Sequence, residues 1–211
     1  MKKETSLGHD IVIITLITLV AGLLLGLVHT VTAGPIKATE EKTRIETQKE
    51  VFSDAVSFEA MEGIEEDAGL IKAIEDAGLT KTSVEAVDTA LDADGNKLGY
   101  VITAINKEGY GGEIKLMAGV STKDGELKVN SIAFLTLAET AGMGMKADQP
   151  EFKEQFVALA PGEEIIVYTK SGKSAPNEID AISGSTVTTS AVTKAVNAAL
   201  TAVRYLEGGA S

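Results

Sequence analysis

Asp180-Ala181-Ile182-Ser183-Gly184-Ser185-Thr186-Val187-Thr188-Thr189-Ser190 runs directly into an alanine-rich segment, residues 191–205. Apolar residues recur there at Val192, Ala195, Val196, Ala199, Leu200 and Val203, a spacing that predicts a helix. The hydroxyl-rich stretch therefore sits where that helix begins. A helix start carries unpaired backbone N–H groups and the positive end of the helix dipole, so an anion held by the 183–189 turn is stabilised without any lysine. Gly184 removes the side chain where the backbone must approach such a group, and Thr186 lies in the first turn with its hydroxyl beside the anion site. Spacing alone fits a second reading as well: Ser and Thr are good N-caps, and the stretch can serve only to close the helix.

Upstream of this turn the chain reads as β-rich. Residues 83–91 alternate as a strand, Asp92-Ala93-Asp94-Gly95-Asn96 forms a turn, and 97–106 returns. A calcium loop is the weaker reading of that turn, because no glutamate closes it at the required spacing. Residues 113–121 and 127–137 repeat the hairpin around Lys123-Asp124-Gly125-Glu126, so an antiparallel meander is expected. Between the hairpins, Gly109-Tyr110-Gly111-Gly112 allows close backbone approach to another surface, with one tyrosine able to stack on a flat ring; a flexible connection fits the same spacing. A short helix over 151–159 carries Phe152, Phe156 and Leu159 on one face and ends at Pro161-Gly162; a strand follows over 165–169.

The other end of the chain has a different character. Residues 11–36 contain no Asp, Glu, Lys or Arg, a run of 26. Roughly 20 apolar residues cross a bilayer as a helix, so a transmembrane segment is expected over 11–33; its competitor is a signal peptide cleaved after Val31-Thr32-Ala33. Lys2 and Lys3 favour a cytoplasmic N-terminus (1–10) with the folded domain outside the cell membrane, whereas Lys37, Lys42 and Arg44 oppose that orientation. Residues 34–82 read as a juxtamembrane helical segment, charged and helix-favouring over 38–56 and acidic, with Gly63, Gly69 and Gly78, beyond it. The folded domain is expected at 83–211.

Composition narrows the function. A net charge of −12 argues against nucleic acid as a partner. With no cysteine there are no disulfides, thiol nucleophiles, cysteine-ligated clusters or cysteine-attached haems. No catalytic acid, base or metal-ligating cluster stands out, and no histidine follows residue 29 to activate a hydroxyl nucleophile.

Three segments in order resemble the FMN-binding domain family. The stretch from Asp180 to Thr186 resembles its flavinylation motif, an acidic residue followed by Ser/Thr-Gly-Ala-Thr, with Ser185 in place of the alanine. The Gly-Tyr-Gly-Gly element at 109–112 is similar to one in the same family, and Leu137-Ala138-Glu139-Thr140-Ala141-Gly142-Met143-Gly144 is similar to its Glu-Thr-Pro-Gly-Leu-Gly segment, with Ala141 for the proline and Ala138 where a histidine often stands. This resemblance implies FMN attached covalently through a phosphoester to Thr186, with Ser183, Gly184, Ser185, Thr188, Glu139, Thr140, Tyr110 and Gly111 around it. It implies a separate magnesium-dependent flavin transferase for attachment, with Thr188 and Thr189 as the nearest competing hydroxyls. It implies an α+β fold: one N-terminal transmembrane helix, then a small FMN-binding domain with an antiparallel β meander and flanking helices. A single anchor and one flavin domain most resemble the G subunits of Rnf electron-transport complexes, which pass electrons from ferredoxin to NAD coupled to Na+ or H+ movement. The C subunits of sodium-pumping NADH:quinone reductases and a stand-alone extracytoplasmic flavoprotein are close alternatives, and a non-redox membrane-anchored binding module a distant one.

Overall fold

The computed structural model describes residues 7–208 apart from 158 and 163. The N-terminal segment expected at 1–10 lies mostly outside these residues, Lys2 and Lys3 included. The chain forms two compact units, 1–44 and from Ile45 onward.

The first unit is helical. Helix α1 (Leu7–Val51) is one run of 45 residues. Its Ile, Leu and Val side chains between residues 11 and 36 are exposed, and the helix is long and apolar enough to cross a membrane. The hydroxyls of Thr18, Thr30 and Thr32 donate to the carbonyls of Ile14, Gly26 and Val28 at 3.0, 2.8 and 2.8 Å, so these three hydroxyls are satisfied by the helix itself. No break separates the apolar run from the charged segment after it. Pro35 lies inside the helix and forfeits one backbone donor, but the residues that follow it are rich in Glu and Lys, which propagate the helix.

The second unit is built on a five-stranded antiparallel sheet whose spatial order follows the chain. Strand β1 (Ser57–Ala60) leads through a 3-10 turn and helix α2 (Ala68–Asp76) to β2 (Thr82–Leu91), β3 (Lys97–Asn106), β4 (Ile114–Ser121) and β5 (Lys128–Leu137). The expected meander is present, one strand longer than the sequence suggested. β1 pairs with β2 from Ser57–Leu91 to Ala60–Asp88, so the sheet starts upstream of Ser83. Asp92 closes the first hairpin by accepting from the N–H groups of Asp94 and Asn96 at 2.8 Å, with Gly95 at φ +80°. Its side chain is thus committed to the turn.

After β5 come helix α3 (Pro150–Lys153), which passes at once into a 3-10 turn (Glu154–Phe156), a two-stranded parallel sheet of β6 (Val167–Thr169) and β7 (Glu178–Asp180), and helix α4 (Thr186–Gly208). The helix expected over 151–159 is therefore shorter. Phe152 and Phe156 meet edge-on with ring centroids 5.5 Å apart.

The central strands β3 and β4 are buried on both faces. Tyr100, Ile102, Ala104, Leu116, Ala118 and Val120 face α4, whose alanines and valines pack against them. Val101, Met117 and Ala133 face the other way, against Val51, Phe52 and Ala55 at and just beyond the end of α1. The approach there is close. A Cβ on Gly119 would lie 2.1 Å from the Val51 carbonyl oxygen, so only glycine lets that backbone rest on the sheet. Helix α4 is buried around most of its first five turns, which fixes its N-terminus relative to the sheet.

Candidate functional site

The start of α4 is positioned by its own backbone and one threonine. Asp180 ends β7 and does not reach the cleft described below: its N–H donates to Gln155 Oε1 at 2.6 Å and its Oδ1 accepts from the Lys173 N–H at 2.7 Å, fastening β7 to its neighbours. The chain then turns, with the Ser185 N–H donating to the Ile182 carbonyl at 2.9 Å and Gly184 in the left-handed region at φ +77°. Thr189, fully buried, donates to the Ser185 carbonyl at 2.9 Å and accepts from the Ile182 N–H at 3.1 Å.

The hydroxyls ahead of the helix do not cap it. Ser183 is exposed and makes no side-chain hydrogen bond among the described residues. The Ser185 hydroxyl is buried with no partner. Nor does any acceptor meet the N–H groups of Thr186, Val187 or Thr188 among the described residues. Three donors at the positive end of a 23-residue helix are left open.

These groups border a cleft of about 460 Å³. Gly184, Ser185, Thr186, Val187 and Thr188 form one side. Glu139, Thr140, Met143 and Gly144, from the segment after β5, form another, and Tyr110, from the β3–β4 loop, a third. Seven of the nine residues singled out in the sequence thus come together: Tyr110, Glu139, Thr140, Gly184, Ser185, Thr186 and Thr188. Gly111 and Ser183 do not line the cleft. Gly111 instead allows the β3–β4 loop to touch the segment after β5, since a Cβ there would lie 1.9 Å from the Ala138 carbonyl oxygen.

The floor of the cleft is polar and tightly fitted. Gly144 is buried between Glu139 and Thr188, where a Cβ would meet Glu139 Oε2 at 2.6 Å and Thr188 Oγ1 at 2.7 Å. Glu139 Oε1 is buried without a hydrogen-bond partner. The turn above it closes without proline: the N–H groups of Met143 and Met145 both donate to the Thr140 carbonyl, at 3.1 and 3.2 Å, and Gly142 takes φ +75°. The rim is apolar, with Tyr110, Met143 and Val187 exposed. An orphaned carboxylate oxygen, an orphaned hydroxyl and open helix N–H groups beneath an exposed apolar rim suit a flat ring with a polar edge and an anionic tail.

Thr186 is half-buried and also borders a second cleft of about 470 Å³, with Val187, Ser190, Lys81, Glu108 and Tyr168. Thr188 and Thr189 are buried, at 1% and 0% exposure, so among the three neighbouring threonines Thr186 presents the most accessible side chain. Glu108 is paired with Lys194 and faces Lys81 at 4.0 Å. The Lys194 hydrogen bond holds the Glu108 carboxyl below the usual glutamate range.

Met143, Gly144 and Val187 were not singled out in the sequence as site residues, although each stands inside a quoted motif. Lys194 was legible in principle, because Thr186, Ser190 and Lys194 follow one another at helical spacing of four. Lys81 carries no local signal; the fold brings it to Thr186 from the β2 end of the sheet.

Residues 109–201 match the FMN-binding domain family. The chain is 32% identical over 208 residues to the G subunit of the ion-translocating oxidoreductase complex of Methanosarcina acetivorans, covering 99% of this chain and 100% of the relative. It is 32% identical over 186 residues to the G subunit of the Na(+)-translocating ferredoxin:NAD(+) oxidoreductase complex of Acetobacterium woodii, covering 88% and 86%. Among solved structures, the C subunit of the Na(+)-translocating NADH-quinone reductase of Parabacteroides distasonis is similar at 19% identity with a TM-score of 0.47, covering 72% of this chain and 79% of that one.

Proposed function

Because the chain belongs to the family of G subunits of ion-translocating oxidoreductase complexes, we propose that it is the membrane-anchored flavin subunit of such a complex, relaying electrons between ferredoxin and NAD(+) coupled to Na+ or H+ translocation. The observation that carries this reading is the convergence of three separate segments on one cleft whose buried polar atoms, Glu139 Oε1 and Ser185 Oγ, lack protein partners.

The residues fit FMN, which supplies reversible electron transfer when bound. Thr186 is the point of attachment, its hydroxyl esterified to the phosphate. The open N–H groups of Val187 and Thr188 stabilise the anionic ester, and Gly184 keeps side chains away from it. Glu139 and Thr140, which line the cleft, would hold the polar edge of the ring, while Tyr110, Met143 and Val187 would cover its apolar surface. Ser185 closes the floor beside Thr188.

The relay needs no general acid or base from the chain; the protein's part is to hold and orient. Attachment does need help. A threonine hydroxyl is a poor nucleophile, Glu108 is already paired with lysine and no histidine follows residue 29 to activate it, so a separate flavin transferase acts on Thr186 as substrate. α1 anchors the protein in the cell membrane, with the N-terminus cytoplasmic and the flavin domain outside.

The experiment is to co-express the full chain with a flavin transferase, purify it from membranes and follow its visible absorption during chemical reduction and reoxidation. A flavin band that bleaches and returns supports the relay, and co-purification of further subunits separates a complex from a stand-alone flavoprotein. A colourless protein would reduce the cleft to part of a binding module.

A further inference from the structure

The second cleft beside Thr186 is bordered by Lys81 and Glu108, part of an ion-pair cluster that the relay reading leaves unused. Lys194 lies on α4, two turns beyond Thr186 on the same face, and is paired with Glu108 Oε2; Lys81 Nζ lies 4.0 Å from Glu108 Oε1. Glu108 immediately precedes the 109–112 loop that carries Tyr110.

The rest of that loop is fixed by contacts at its two ends. On the entry side the Glu108 N–H donates to Asn106 Oδ1 at 2.8 Å, and Asn106, fully buried, donates to Thr82 Oγ1 at 2.8 Å. The Lys107 N–H donates to the Lys81 carbonyl at 3.0 Å, with Lys81 itself in the left-handed region at φ +54°. At the loop's first residue, Gly109 is close enough to Glu139 that a Cβ would lie 2.9 Å from its Oε1, and on the exit side Gly111 rests on the Ala138 carbonyl. Between these ends Tyr110 lines the first cleft yet is 76% exposed, so its ring has little packing of its own. Its position is inherited from the backbone. Among the described residues, Lys194 is the side chain of the helix bearing Thr186 that is tied to this loop, through the carboxylate of Glu108.

The geometry points to Lys194 as a positioning residue for the flavin: by holding Glu108 it fixes the 109–112 loop, and therefore Tyr110, in register with the Thr186 end of α4. This rests on the flavin reading above. The pair is suited to the task because both side chains are 29% exposed, partly shielded from solvent and salt, and because a single ammonium–carboxylate contact links two elements distant in sequence. Lys81 adds a second, looser cation 4.0 Å from the other carboxylate oxygen.

The test compares the full chain, co-expressed with a flavin transferase, as wild type, Lys194→Met, Lys194→Arg and Glu108→Gln. Covalent flavin on the peptide containing Thr186 is quantified by mass, and the induced visible circular dichroism, fluorescence and reduction potential are then read per bound flavin. Lys194→Met and Glu108→Gln should each weaken the induced dichroism, raise flavin fluorescence as Tyr110 leaves the ring, and shift the potential; Lys194→Arg should restore all three. Amide exchange of residues 109–112 in unloaded protein should accelerate in Lys194→Met and not in Lys194→Arg. Spectra, potential and loop exchange unchanged in Lys194→Met would overturn the positioning role while leaving the flavin reading intact. A wild-type peptide without flavin would overturn both, and is seen before any variant is compared.

Discussion

The Thr189 hydroxyl donates to the Ser185 carbonyl at 2.9 Å while accepting from the Ile182 N–H at 3.1 Å, so one buried side chain closes the turn on which Thr186 is presented. Thr189→Val keeps the shape and removes both bonds. The Ile182 N–H is then left buried and unpaired, at an expected cost of about 1–3 kcal/mol. Chemical denaturation should show that loss, and flavin loading at Thr186 should fall with it. Unaltered stability would mean that the turn is held by its backbone alone.

Gly184 and Gly111 are predicted to fail for different reasons. Gly184 sits at φ +77° with open space where a Cβ would go, the nearest atom being Met143 Cε at 3.9 Å, so Gly184→Ala incurs only the backbone penalty, about 1–2 kcal/mol, and Gly184→Asn less. Gly111→Ala places a methyl group 1.9 Å from the Ala138 carbonyl and must push the loop off the segment that carries Glu139. Melting temperature should therefore report the first substitution, and flavin spectra the second.

Acid should loosen the junction between α2 and α4. Asp67 accepts from the Leu70 N–H at 2.8 Å and from the Tyr205 hydroxyl at 2.9 Å, and these two bonds hold its pKa below the ordinary value of 3.8. A carboxyl whose pKa is depressed by folding contributes stability that is complete above the unfolded value and is lost as pH falls through the folded one. Asp67→Asn retains an acceptor but does not titrate. The melting-temperature advantage of wild type over Asp67→Asn should be present at neutral pH and shrink progressively as pH falls below 3.8, while an advantage that grows in acid would refute the assignment.

The end of α1 is expected to behave as part of the domain core. Phe52 is 2% exposed against the face of the sheet opposite α4, so Phe52→Ala should cost about 3–5 kcal/mol. Gly119→Ala, which drives a methyl group into the Val51 carbonyl, should destabilise by about 1–3 kcal/mol. Denaturation of a soluble fragment starting at Ile45 checks both, and a stable fragment lacking residues 45–56 would contradict the packing.

Much of this was legible in the sequence because its signals are local. The alternation of residues 97–106 and the Asp-Gly turn before them define a hairpin within a single window, and the observed strand has those bounds. β1 escaped because Ser57-Phe58-Glu59-Ala60 is four residues long and mostly exposed; it is a strand only by virtue of its pairing with β2. Residues 45–52 escaped for the opposite reason. Their charged, helix-favouring composition looked like a solvated spacer, yet Thr47, Gln48, Val51 and Phe52 are buried, the last two against the sheet. In the site, Thr186 and its neighbours announced themselves through a contiguous motif. Lys81 did not, because its significance lies in meeting Glu108, a tertiary fact with no periodicity to betray it; the spacing of Lys194 from Thr186 places it on the same helix face but does not reveal its partner.

The central claim is a flavin covalently held at Thr186, and the most direct measurement is intact-mass analysis and peptide mapping of the denatured full chain, expressed with and without a flavin transferase. The account predicts a transferase-dependent gain of one FMN on the peptide containing Thr186, absent from Thr186→Ala. An unmodified peptide under both conditions, or a label that persists in Thr186→Ala, would contradict it.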